Sequence, residues 1–147
     1  MVALFGKGRT ALRLNLSDLL LAAVCLAVAW LVRVGLWLLP FRYLLAAVTA
    51  ARPLGRPSRR VQVSRIAWAV RLACRYVPGP TCLVRALAGR SVLSLHGHPS
   101  GIRIGVSLDG RQLEAHAWLE SEGQVLIGGS DAHARYRPFA ELSGRRT

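Results

Sequence analysis

The chain has 147 residues, 52% of them hydrophobic, and a net charge of +13, which is enough apolar material for one packed domain and excludes a disordered chain. Residues 1–108 hold fifteen Lys and Arg against one acid, Asp18, whereas residues 109–147 hold five against six acids. A basic surface suits acidic partners, yet no aromatic–basic interleaving and no helix-turn-helix, finger or ribonucleoprotein signature is present, so nucleic acid is not an expected partner.

An apolar stretch comes first. Residues 19–32 are uninterruptedly apolar; Arg33 follows, then a Leu39-Pro40-Phe41 break and a second apolar run to Ala51. Three readings compete. A transmembrane helix needs about 20 apolar residues, and Arg33 cuts this run short. A signal peptide could use Lys7, Arg9 and Arg13 as its basic region and Ala27-Val28-Ala29 as its cleavage site, but the chain stays apolar past that point. The reading adopted is a pair of helices broken at Pro40, started by Ser17 or Asp18 as N-cap, and buried against a catalytic domain or a partner. Membrane contact through this arm stays open.

Residues 52–60 are rich in Pro, Gly and Arg and read as a linker. The expected division is therefore an apolar helical arm and linker over 1–57 and a catalytic domain over 58–147. Residues 61–77 read as an amphipathic helix, with Ile66, Val70, Ala73 and Val77 at helical spacing. The cysteines, Cys25, Cys74 and Cys82, are odd in number and widely spaced, which fits a reducing cytoplasm better than a disulfide framework. Cys25 and Cys74 read as packed side chains.

Pro78-Gly79-Pro80-Thr81-Cys82-Leu83 carries the most chemistry. The prolines end one helix, Thr81 is an N-cap residue, and Cys82 falls in the first turn of the next helix. There the helix dipole favours the thiolate, and unpaired backbone N–H groups can stabilise an oxyanion. The competing reading is a buried, inert cysteine. Residues 102–108 alternate as a strand, Asp109-Gly110 is a hairpin signal, residues 111–120 return, and 124–127 form a third strand after Ser121-Glu122-Gly123. His116 lies mid-strand, flanked by Ala115 and Ala117 and sharing a face with Glu114, Trp118 and Glu120. A strand histidine is ordinarily a surface or satisfied core residue; beside a helix-start cysteine it is a candidate base.

Pro80-Thr81-Cys82-Leu83, Gly105-Val106 and Ala115-His116-Ala117-Trp118-Leu119-Glu120 together resemble the leader peptidase of lasso-peptide biosynthesis, in the transglutaminase-like protease family that includes microcin-processing enzymes. Leu38-Leu39-Pro40-Phe41 and Tyr136-Arg137-Pro138-Phe139 are similar to that family too. The resemblance implies an α+β fold: N-terminal helices, then a papain/transglutaminase-like Cys helix packed on an antiparallel β-meander. It also implies a cysteine peptidase that frees a core peptide from its leader, with Cys82 as nucleophile and His116 as base. The implied partners are a precursor peptide substrate, a separate leader-recognition protein and an ATP-using lasso cyclase.

In the family an acid on the next strand orients the histidine. A hairpin centred near Glu122 puts Gly128 at that position, and Asp131 is the nearest acid downstream, readable as a catalytic residue or as a turn residue. A metal site from Cys74, Cys82, His96 and His98 fits no finger spacing. No P-loop or dinucleotide fingerprint is present, and no cofactor or metal is expected. The rival reading is a non-enzymatic, basic, membrane-surface or partner-binding helical protein in which Cys82 and His116 are core residues.

Overall fold

The computed structural model describes residues 15–51, 61–79, 81–109, 111–129, 134 and 136–142. The linker at 52–60, Pro80, Gly110 and Asp131 lie outside them.

The first helix, α1 (Leu16–Leu38), starts at Asn15, whose backbone N–H donates to the Asp18 carboxylate at 3.3 Å. Asp18 sits at the third helical position and reaches back, so the cap lies ahead of Ser17 and Asp18. At the far end Leu39 is extended, as a residue before proline must be, and Pro40 begins α2 (Phe41–Ala50). By length and composition α1 is apolar enough to cross a membrane.

In α3 (Val63–Ala73) the apolar residues Ile66, Ala67, Val70 and Ala73 are buried along one face. The helix expected over 61–77 tightens to a 3-10 turn at Cys74–Tyr76. It gives way to α4 (Cys82–Leu95), whose Val84, Leu87, Ala88, Val92 and Leu93 are buried. One hydrophobic cluster joins all four helices to the sheet. Leu21, Cys25, Ala29 and Val32 are the face that α1 contributes, and the small Cys25 and Ala29 let it pack closely on α3 and α4.

Three strands follow as expected: β1 (Gly101–Asp109), β2 (Gln112–Ser121) and β3 (Gln124–Ile127). β1 and β2 pair antiparallel from Gly101↔Glu120 to Asp109↔Gln112. Glu122 and Gly123 take φ of 51° and 79° between β2 and β3, the left-handed pair that suits the right-handed twist of a tight hairpin. A fourth strand, β4 (Arg137–Leu142), crosses to the other side and pairs with β1, giving the order β3-β2-β1-β4. The sheet is thus antiparallel throughout, with one return beyond a simple meander. The helices cover the face that carries Ile102, Ala117, Leu119 and Ile127. Gly89 of α4 allows this approach: a Cβ there would stand 2.7 Å from both Leu119 Cδ2 and Ile127 Cδ1.

Candidate active site

The residues ahead of α4 stop one helix and start another. Gly79 has φ +60°, and Thr81 is extended with its Oγ1 accepting the Val84 N–H at 3.3 Å. Cys82 is therefore the first residue of a capped 14-residue helix. Its N–H and that of Leu83 have no intrahelical carbonyl to bond and stand at the positive end of the dipole. Such a position offers donors to an oxyanion formed beside the sulfur.

Of the three cysteines, only Cys82 is not buried. Burial, with a smaller contribution from the neighbouring Cys74 thiol, pushes Cys25 up to about 12. Burial also raises Cys74, partly offset by the Arg85 charge. Both stay protonated near neutral pH and act as small packing side chains.

His116 occupies the middle of β2. Because strand residues alternate, Ala117 and Leu119 enter the helical core while His116, Trp118 and Glu120 turn to the opposite face. His116 is half-buried, and its Nε2 lies 2.7 Å from the Gly128 carbonyl oxygen. A carbonyl only accepts, so Nε2 carries the proton and Nδ1 is the basic atom of the neutral ring. The Tyr136 ring stacks on the imidazole with centroids 4.8 Å apart and planes at 26°. The Tyr136 hydroxyl donates to the Glu114 carboxylate at 3.4 Å.

Trp118 flanks the imidazole at 6.3 Å and is itself clamped. Its Nε1–H donates to one Glu120 oxygen at 2.6 Å, and Arg103 Nε donates to the other at 2.8 Å. Two glycines leave room for this packing. A Cβ at Gly105, directly across from His116, would stand 2.8 Å from the Trp118 ring and 2.9 Å from the Arg137 carbonyl oxygen. A Cβ at Gly128 would stand 2.4 Å from Trp118 Cβ.

α4, which Cys82 begins, packs on the Ala117–Leu119 face of β2, and His116 projects from the other. No hydrogen bond joins Cys82 to His116 among the described residues. Asp131 lies outside the described residues. The position that hairpin counting assigns to an orienting acid, Gly128, does meet His116, through its backbone oxygen. Residue counting along the sequence finds the position but not the group, because it looks for side chains. Tyr136 carries no spacing signal toward His116; it arrives with β4, from the far side of β1.

His96 and His98 serve the fold. His96 Nδ1 bonds the Val92 carbonyl at 2.9 Å, and His98 Nε2 bonds the Val61 carbonyl at 2.8 Å. Among the described residues no group of three or more His, Cys, Asp or Glu could hold a metal ion.

Helices leading into a Cys-started helix, laid on a four-stranded antiparallel sheet, form an α+β fold. The transglutaminase-like superfamily pattern matches residues 23–141, and the chain belongs to that superfamily. The superfamily includes cysteine peptidases and transglutaminases. No curated protein and no solved structure matches the chain.

Proposed function

We propose that the protein is a cysteine peptidase that removes the leader from a ribosomally made lasso-peptide precursor. The observation that carries the reading is Cys82, the one cysteine left accessible, at the first residue of the Thr81-capped α4 in a transglutaminase-like chain. In this scheme His116 Nδ1 takes the Cys82 proton and the thiolate sulfur attacks the scissile carbonyl carbon. The resulting oxyanion rests against the N–H groups of Cys82 and Leu83. The C–N bond breaks as the imidazolium returns its proton to the leaving amine. Water then adds to the thioester with His116 as base and releases the carboxylate product and the thiol. The scheme requires the Cys82 sulfur to come within hydrogen-bond reach of Nδ1, a movement that brings together groups set on opposite faces of β2. Gly128 O fixes the tautomer, with Asp131 proposed as an added carboxylate.

Leader recognition falls to a separate protein, with a lasso cyclase acting next on the freed core peptide. The proposed site of action is the cytoplasm, where a ribosomal precursor is made, either free or at the membrane surface. The test is mass spectrometry of a precursor peptide incubated with this protein and the recognition protein. Leader and core fragments that disappear with Cys82→Ala support the reading. A peptide joined to an amine instead of cleaved assigns transglutaminase chemistry, and an unchanged precursor removes the peptidase.

A further inference from the structure

α1 buries one face and exposes the opposite one, and both are apolar. Leu21, Cys25, Ala29 and Val32 turn inward. Leu20, Val24, Leu31, Val34 and Leu38 turn outward, with Leu31 at 71% and Leu38 at 75% exposure. These outward residues follow the spacing of a single helical stripe. Trp30 stands midway along it, and Trp37 with Phe41 and Tyr43 of α2 at its far end, all exposed. Two guanidinium groups lie on this aromatic end: Arg33 over Trp37 at 5.9 Å and Arg42 over Tyr43 at 4.7 Å.

We infer that this stripe seats the protein on the surface of a bilayer containing anionic phospholipid, with α1 lying in the interface rather than crossing it. Helix length alone, about 34 Å for 23 residues, would allow a span. The attachments of the helix do not. Asp18, near one end, pairs with Arg65 of α3. Arg33, toward the other, has its Nη2 3.2 Å from where a Gly79 Cβ would be, just ahead of α4. Between these points the inner face is packed on α3 and α4. A spanning α1 would carry those helices and their arginines into the hydrocarbon. Lying flat, it keeps its inner face on protein and gives its outer face to acyl chains.

Charge selects the occupant. Residues 1–108 hold fifteen cations, and their single acid, Asp18, is already paired with Arg65. A second copy on the stripe would bring together two chains that each carry a net charge of +13, whereas anionic headgroups complement that charge. Trp and Tyr beside Arg at the edge of an apolar stripe are the side chains that favour the headgroup layer. The inference is independent of the peptidase reading.

The experiment is co-sedimentation of the full chain with phosphatidylcholine vesicles, with and without phosphatidylglycerol. Binding to the anionic vesicles, weakened by salt and released by alkaline carbonate, is expected. Leu31→Asp removes an exposed side chain and leaves the core intact, as circular dichroism would verify. It should weaken partitioning about tenfold or more. Arg33→Gln and Arg42→Gln should each cost about fivefold on anionic vesicles alone. Spin-labelled lipids should quench fluorescence of the bound protein most strongly from a shallow position, and less after Trp37→Phe. No binding to either vesicle overturns the inference, as does binding indifferent to Leu31→Asp. Retention through carbonate makes α1 a span, and a dimer abolished by Leu31→Asp without vesicle binding assigns the stripe to a second copy.

Discussion

Replacing Gly128 by alanine tests the scaffold behind His116. Gly128 has φ +117°, a region that side chains rarely enter and that costs about 1–3 kcal/mol. The added Cβ would also stand 2.4 Å from Trp118 Cβ, 2.9 Å from Trp118 Cα and 3.3 Å from the Ala117 carbonyl oxygen. These neighbours are backbone or next to it, and Trp118 is fully buried, so relief requires β2 and the 128 loop to separate. Overpacking of this kind costs about 1–3 kcal/mol more. The sum, about 2–6 kcal/mol, is a large share of a stability of about 5–15 kcal/mol. With a urea slope near 2 kcal/mol/M, the unfolding midpoint should fall by about 1–3 M.

Gly123→Ala is the control. Gly123 also has positive φ, +79°, but nothing lies within 4 Å of its added Cβ. Only a backbone penalty of about 1 kcal/mol remains, a midpoint shift of about 0.5 M. Nitrogen-15 spectra of the imidazole add a local readout, since Gly128→Ala should disturb the carbonyl that holds Nε2 and loosen the tautomer. Equal midpoint shifts for the two variants, with an unchanged imidazole spectrum, would refute the packing argument.

Iodoacetamide near neutral pH should modify one thiol per native chain, and Cys82→Ala should remove that reaction while Cys25→Ala and Cys74→Ala preserve it; peptide mapping reads the outcome. Cys25, pushed up from 9.0 to about 12, should make the fold sensitive to alkali. The unfolded chain loses that proton first, so stability present below pH 9 should decline between about pH 9 and 12, by a few kcal/mol in all; urea titrations should show a flatter decline for Cys25→Ala. His116→Ala should abolish nearly all precursor cleavage. Asp131→Asn should lower it less than His116→Ala does; an unchanged cleavage rate leaves the Gly128 carbonyl as orienter.

The parts of the fold legible in the sequence are those fixed by local chemistry. Thr81 ahead of Cys82 marks a helix start whatever lies around it, and the alternation through residues 102–108 and 113–119 marks two strands. β4 was hidden by its own composition. Pro138 argues against a strand interior, and it fits only because β4 is an edge strand whose pairing with β1 shifts register between Ile104 and Gly105. α1 was legible as a helix but not as a half-exposed one. Where inward and outward positions are equally apolar, periodicity does not tell them apart. The Gly128 contact was half legible: the hairpin arithmetic names the residue, but a backbone oxygen leaves no mark in a search for carboxylates.

The crossing of β4 also sets an order in time. A chain emerging from the ribosome can form β1, β2 and β3 once Ile127 is free, because they are successive neighbours in the sheet. Tyr136 comes later, and it reaches the imidazole only when β4 pairs along the other side of β1. Domains fold as synthesis proceeds from the N-terminus, so α4 and its thiol exist for an interval before the ring that stacks on His116 is in place. The same holds for a chain cut by a protease between Gly129 and Tyr136: its helices and three strands would remain, while the aromatic cover of His116 would be held only by the β4–β1 ladder. Closure of the sheet by its last strand is thus the step that completes the surroundings of His116.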